Sequence, residues 1–421
     1  MASWKTPHLS PKLAWALYDF GNSAFATVMA GFFPIALKRY WYEGDPLGST
    51  FWLGMVNGAA SFLVLLIAPP LGAIADQGGL KKRLLLLFAL LGISTTASLS
   101  AIGPGSWELA LLLYGLAVVG FSTANVFYDA LLVDIAPEEE YESTSALGFA
   151  LGYLGGGLLL ALSGVVILKP AWFGLSPGGA LSLAFLAVAL WWLLFLLPLL
   201  SWVPESPPRT RHGIVAAGIQ QLRTTLAHLR RYRLVLLFLI AYWFYIDGLD
   251  TIVRMAVDFG AAIGLAGGHL ISALLLVQLL GAPATLYYGH LARLFGTRNA
   301  ILLGLGVYVV VLLWAFQIET VLDFYLMAAM IALVQGGVQA MSRAYYAHLI
   351  PKPFAGEFFG FYNMLGKFAA VLGPPLVGAM AQLTGVHRWG ILSVIVLFLI
   401  GGAILWRLPS EPRGTANPPL R

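Results

Sequence analysis

The chain has 421 residues, of which 59% are hydrophobic and only 10% charged, with a mean hydropathy of +0.84 and a net charge of +5. Soluble globular domains carry roughly 25% charged residues, so this composition excludes a soluble protein. The absence of cysteine excludes disulfides and thiolate metal sites.

Apolar runs of about 20 residues, the length of a bilayer-crossing helix, recur from end to end. The period-2 alternation of a membrane β-barrel is missing. The leading segment "MASWKTPHLSPK" is too polar and too short for a cleaved signal peptide, so the first apolar run reads as a permanent helix. Twelve helices are predicted at 12–38, 50–75, 82–102, 107–135, 143–168, 178–203, 231–257, 268–292, 298–318, 321–349, 356–384 and 389–408.

Span one carries Asp19, Asn22, Ser23 and Thr27 on one helical face. Span four carries Ser122, Asn125 and Asp129, and span seven Asp247, Asp250, Thr251 and Arg254. Span ten carries Gln335, Gln339, Ser342 and Arg343, and span eleven Asn363 and Lys367. An ionisable group in a bilayer costs at least a few kcal/mol, so these stripes should face a cavity or a partner.

The longest polar interruption, "VPESPPRTRHGIVAAGIQQLRTTLAHLRRYR", separates spans six and seven. Pro204, Pro207 and Pro208 stop the sixth helix. Val215, Ile219, Leu222, Leu226 and Leu229 then form an apolar stripe opposite the arginines. The segment reads either as a helix on the inner leaflet or as a solvated linker. It divides the chain into a six-helix bundle over 1–203, a cytoplasmic linker over 204–230, and a second bundle with a short tail over 231–421.

With twelve spans and the N-terminus inside, seventeen of the 24 Lys and Arg residues fall in cytoplasmic segments, four in external loops and three in or at the ends of spans. Basic residues concentrate on the cytoplasmic side of membrane proteins. The positive charge therefore sets orientation, with both termini cytoplasmic, and nucleic-acid binding is not needed to explain it.

The two halves look related. Gly72, Asp76 and Gly79 align with Gly289, Arg293 and Gly296 at a constant offset of 217. An offset of 214 pairs Asn125 with Gln339, Asp129 with Arg343, Pro137 with Pro351 and Gly152 with Gly366. Internal duplication of this kind marks transporters whose sites lie between the repeats.

"GAIADQGGLKKR" resembles the loop signature G-x-x-x-D-x-x-G-x-[RK]-[RK] of the major facilitator superfamily, with Gly72, Asp76, Gly79, Lys81 and Lys82 in the motif positions. Helix-end electrostatics give such a loop a role: a carboxylate near a helix N-terminus and basic groups near helix C-termini can latch two hairpins together. "WALYDFGNSAF", "NVFYDALLVDIAP", "GFALGYLGGG", "YIDGLDTIVRMA", "QGGVQAMSRAYYAHLIP" and "EFFGFYNMLGKFAAVLGP" resemble the vacuole-effluxer, autophagy-related branch of that superfamily. The resemblance implies an all-α membrane protein of two pseudo-symmetric six-helix bundles, with spans one, four, seven and ten lining a central cavity. It also implies transport, and points to amino-acid efflux.

"GFALGYLGGG" further resembles the antiporter signature G-x-x-x-G-P-x-x-G-G at Gly148, Gly152, Gly156 and Gly157, with Tyr153 in place of the proline. The alternative is helix packing, since small residues let membrane helices approach.

The candidate substrate, ion or gating residues are Asp19, Asn22, Asn125, Asp129, Asp247, Gln339, Arg343, Asn363 and Lys367. Asp19 or Asp129 is expected to pair with Arg343 or Lys367 when an inner gate shuts, or else to form a permanent packing pair. Asp250 and Arg254, at i and i+4, read as a pair within one helix. Lys367 reads as a site for a substrate carboxylate, with Asp19 or Asp247 for an amine or a proton, or as a counter-ion of a neighbouring aspartate. Tyr18, Tyr128, Tyr153, Tyr242, Tyr245 and Tyr362 either shape a pocket or pack.

No G-x-x-x-x-G-K-[ST] loop occurs, which argues against ATP-driven transport. No G-x-S-x-G motif occurs, which argues against an intramembrane enzyme. The seven histidines have no paired-ligand spacing, so no metal and no cofactor are expected. The expected protein is a monomeric secondary transporter in a bacterial inner membrane, its partners the lipid bilayer, a small polar solute and protons, with proton-coupled amino-acid efflux as the leading activity. The alternatives are a sugar, drug or organic anion as cargo, or a non-transporting receptor or scaffold.

Overall fold

The structure is a computed structural model that describes residues 9–42, 46–210, 212–262, 267–318, 320–367, 372–385 and 387–410. No strand occurs among them. The first half contains α1 (Pro11–Ala36), α2 (Pro46–Gly78), α3 (Lys81–Leu99), α4 (Trp107–Ala130), the short α5 (Leu132–Ile135), α6 (Tyr141–Leu168) and α7 (Pro177–Trp202). The linker forms α8 (Ile214–Ala227). The second half contains α9 (Arg233–Ala262), α10 (Gly267–Phe295), α11 (Thr297–Ala315), α12 (Val321–Leu349), α13 (Ala355–Lys367), α14 (Gly373–Thr384), α15 (His387–Ser393) and α16 (Ile395–Trp406). Eleven helices are long and apolar enough to cross a bilayer among the described residues. Successive α13 and α14 follow the remaining predicted crossing.

The helix ends follow local chemistry. Ser10 caps α1, its hydroxyl accepting from the Leu13 N–H at 3.3 Å, with Pro11 at the first helical position. Thr320 and Asp323 form a reciprocal capping box on α12. The aligned turns repeat in three dimensions. Gly79, between α2 and α3, and Gly296, between α10 and α11, have φ of +59° and +84°, values that favour glycine. Pro137 and Pro351 each open a 3₁₀ turn that runs directly into a helix, α6 and α13 respectively.

Within the first half α1 packs on α6 and α7, and α3 on α4 and α7; within the second α10 and α11 pack on α12, and α9 on α16. Across the halves α2 meets α13, and α6 meets α10 and α12. The arrangement is apolar outside and polar inside. Leu190, Leu194 and Leu197 on α7 are exposed, whereas Asn22, Asp129, Glu142, Asp247 and Arg343 are buried. A lipid solvent produces this inversion of the soluble pattern.

One expectation changes. The span predicted as continuous over 356–384 is two helices, and residues 368–371 between them lie outside the described residues. Gly373, Pro374 and Pro375 open α14, where a missing N–H costs nothing, and two N–H groups at that end find a side-chain acceptor described below. The linker forms a helix that packs on α2 through one face while Val215 and Leu226 of its apolar stripe are exposed. Gly218 of α8 sits against the backbone of Ile74 on α2, and Thr225 is fully buried.

Candidate functional site

Arg343, on α12 of the second half, is 2% exposed and reaches into the first half. Its Nη1 donates to Asp129 Oδ1 at 3.0 Å, its Nε to Ser145 Oγ at 2.9 Å and its Nη2 to the Ser145 carbonyl at 3.0 Å. The guanidinium carbon lies 4.7 Å from the Trp15 ring centroid, 5.4 Å from Tyr128 and 4.4 Å from Phe149. Trp15 is itself fixed, stacked on Tyr128 at 4.4 Å with its indole N–H donating to the Tyr128 carbonyl at 2.8 Å. Asn363 of α13 completes the group by donating to Asp129 Oδ2 at 2.9 Å. Asp129 and Arg343 occupy equivalent positions in the two repeats, so their contact lies where the repeats face one another. Both are ionisable and buried, and removing one member of such a pair costs about 3–5 kcal/mol.

Just past this pin the side chains become half-buried. Asp19 accepts from Ser23 Oγ at 3.1 Å and makes no ion pair among the described residues. Gln278 of α10 donates to Thr27 Oγ1 at 3.4 Å across the halves. Asn22 Nδ2 donates to Asn125 Oδ1 at 2.6 Å, tying α1 to α4. Asn125, Gln339 and Asn363 are also half-buried. Gln339 has no hydrogen-bond partner among the described residues. The glycines of α6 make room for this polar row. A Cβ at Gly148 would meet Arg343, one at Gly152 would meet Ser23 and Asp19, and one at Gly156 would meet Thr27 and Gln278. The "GFALGYLGGG" helix therefore packs closely, as small residues permit, but it packs against polar groups. Tyr153, in place of the signature's proline, inserts its ring between Gly281 and Gly336 of the second half.

The basic end of the bundle, where the motif loops lie, is shut. Asp76 is 6% exposed and its two oxygens accept from the Gly356 and Glu357 N–H groups at 2.9 Å each, capping α13 across the halves. Lys81 Nζ lies 2.9 Å from Asp134 and 3.7 Å from Asp76. Lys82 donates to the Leu200 and Val203 carbonyls at 2.8 and 2.7 Å, at the C-terminus of α7. Cations bind well at that end of a helix dipole. Gly72 of α2 abuts the Gly356 carbonyl, and Gly360 abuts Pro69. On the other side Glu142 of α6 accepts from Thr297 Oγ1 at 2.6 Å and faces His348 Nε2 at 2.9 Å. A cavity of about 330 Å³ remains among Asp76, Lys81, Asp134, Glu205, Arg209 and Lys352. Burial pushes the Glu205 carboxyl above the usual carboxylate range, against the pull of the Lys82 and Lys81 N–H groups.

Several predicted residues stand apart from this assembly. Asp247 is fully buried within the second half, where its oxygens accept from the Leu372 and Gly373 N–H groups at 2.9 Å each and from Thr251 at 3.3 Å. It serves as the cap of α14, which redirects the expectation of a binding carboxylate. The Lys367 and Arg254 side chains lie outside the described residues, so their expected pairs do too. Tyr242 and Tyr362 stack on one another at 4.3 Å and pack. The sequence reading passed over Trp15, Ser145, Glu142 and Glu357. Ser145 carries no local signal, but Trp15 sits i−4 from Asp19 on the same polar-striped helix.

The sequence profile described as "Vacuole effluxer Atg22 like" matches residues 52–143 and 135–417. The chain is 40% identical over 404 residues to the uncharacterized MFS-type transporter YxiO of Bacillus subtilis, covering 94% of each chain. It is 25% identical to autophagy-related protein 22 of Coccidioides immitis, covering 84% of this chain and 73% of that one. Among solved structures it is similar to the human organic anion transporter MFSD10, with a TM-score of 0.73 at 18% identity over 95% of this chain and 100% of that one, a likeness of fold.

Proposed function

The chain belongs to the Atg22-like vacuole-effluxer family and is a transporter of the major facilitator type, and from that premise we propose that it moves a small polar solute by alternating access. The observation that carries the reading is Arg343. Every hydrogen bond and ring contact described for its guanidinium is made to the opposite half. Beyond it lies a row of half-buried polar side chains. A bundle shut at one end, with half-buried polar side chains beyond the closure, is an arrangement from which a solute can leave in one direction only. Rocking of the halves breaks the Asp129–Arg343 pair, releases α13 from Asp76 and opens the basic end. The basic end faces the cytoplasm, since most Lys and Arg residues lie there.

Asp19 is the recognition group for cargo. Its carboxylate makes no ion pair in contact among the described residues, Arg343 being engaged by Asp129 and acting on Asp19 only from farther away, so it takes either a solute ammonium or a proton, and not both at once. That competition couples efflux of an amino acid to proton entry. Asn125, Gln278 and Gln339 supply hydrogen bonds for the remaining polar groups. The expected cytoplasmic-membrane location and single-chain operation belong to this reading.

The test is uptake into proteoliposomes with a panel of amino acids, with and without a pH gradient. The reading predicts counterflow of at least one amino acid that collapses in Asp19→Asn. Transport of sugars or organic anions alone, unaffected by Asp19→Asn, would overturn the cargo assignment.

A further inference from the structure

Glu357 lends its backbone N–H to the Asp76 latch, but its side chain has no part in the transport reading given above. It is fully buried, in the first turn of α13. Its two carboxyl oxygens make no hydrogen bond of ordinary geometry among the described residues, and the nearest donors to them are the neutral side chains of Thr225 and Gln221 on α8. Its own backbone N–H, with that of Gly356, is taken by Asp76. The favourable field of this helix N-terminus is therefore already used by another carboxylate.

The groups around Glu357 are named by element. From α2 comes Asp76, with Lys81 of α3 held between Asp76 and Asp134. From α8 come Gln221 and Thr225, hydrogen-bonded to each other at 3.2 Å. Tyr232 approaches from the turn before α9, with the exposed Arg231 beyond it, and Tyr346 from α12. The nearest acid is thus a like charge, and no cation pairs with Glu357 among the described residues. A carboxylate removed from water without a partner neutralises instead of remaining charged. Two carboxyl groups at one helix end are not both ionised without large cost.

We propose that Glu357 is a proton-binding site, protonated when the basic end is shut and ionised when it opens. The proposal rests on the alternating-access reading. Shutting brings α2 and α8 over Glu357, and the carboxylate takes one proton from water to become a neutral carboxylic acid. Opening withdraws Asp76 from α13, admits water from the cavity that Asp76 lines, and returns the proton to the same side. Because the proton enters and leaves at one end, Glu357 sets the balance between the two states and adds no net proton transfer. Acidification on that side closes the basic end.

The experiment uses the full chain, which has no native cysteine. Spin labels are attached in the Glu139→Cys, Arg293→Cys double variant, at exposed sites on the two halves at the basic end. Distance distributions are recorded in lipid nanodiscs over a pH series. The proposal predicts a long-distance population that grows at least several-fold as pH rises, stays small at all pH in Glu357→Gln, and keeps its pH response in Glu357→Asp. A Glu357→Gln variant that follows the wild-type profile overturns it. If Glu357→Gln does not fold, the wild-type and Glu357→Asp series decide, and a distribution independent of pH in either overturns it. Arg343→Ala serves as a reference. If it opens the basic end while the wild type ignores pH, the proton site is wrong and alternating access stands; if nothing opens that end, alternating access itself fails.

Discussion

Asp129 on α4 and Asp247 on α9 are both buried carboxylates on membrane-crossing helices, and both are satisfied at about the same distances. Their partners differ in kind. Asp129 holds Arg343 and Asn363, side chains delivered by the other half. Asp247 holds the Leu372 and Gly373 N–H groups, backbone donors of its own half. On the proposed alternating access, the first set of bonds lies across the surface that parts during transport, and the second lies within a body that moves as a whole. A buried charge in a membrane helix is thus no guide to mechanism by itself; the element that supplies its partner decides.

The largest effect that sharpens this contrast comes from charge reversal. Asp129→Arg or Arg343→Asp leaves two like charges buried at the interface, and each should abolish transport, a loss of about 100-fold or more if 3–5 kcal/mol is forfeited. The double reversal should recover part of the rate in the same proteoliposome assay. Equal activity in the single variants and the wild type would reduce the pair to packing. Next in size, Gly360→Leu forces a side chain into Pro69 and Ala68 of α2. It should hold the basic end open, seen as solvent labelling of a cysteine placed at Ser145, with little change in folding yield.

Asp247→Ala should act on stability instead. Two backbone donors at the start of α14 lose their acceptor, at about 1–3 kcal/mol, so the melting temperature should fall while the distance between labels at the basic end is unchanged. A change in that distance with an unchanged melting temperature would erase the distinction drawn here. The smallest effect is expected at the rim. Lys352 and Glu138 form a half-exposed pair at 3.1 Å across the halves, and Lys352→Gln should shift transport by less than about 1 kcal/mol, vanishing at high salt.

Much of the architecture was legible because lipid imposes a strong code. Apolar runs gave the crossings, Lys and Arg placement gave the distinct ends, and the offsets of 217 and 214 anticipated the matching turns at Gly79 and Gly296 and at Pro137 and Pro351. The pairing of Asp129 with Arg343 was foreseen as one of four options, since helical depth narrows partners but does not name them. What stayed hidden depended on contacts between distant segments. Nothing local marks Asp247 as the cap of a helix that starts more than a hundred residues later. The Gly-Pro-Pro at 373–375 suits a helix start, which the expectation of one continuous span over 356–384 did not include. Nothing in the sequence sets Glu357 apart, because burial is a tertiary property.

The central claim is that the halves rock about the polar crevice, and paired distance measurements test it directly. One label pair, at Glu139 and Arg293, reports the basic end; a second, at Trp172 and Leu383, reports the exposed opposite end. Both are recorded in nanodiscs for the wild type and for Arg343→Ala. Alternating access predicts that Arg343→Ala lengthens the first distance and shortens the second in the same sample. Two distances that stay fixed, or that lengthen together, would contradict it.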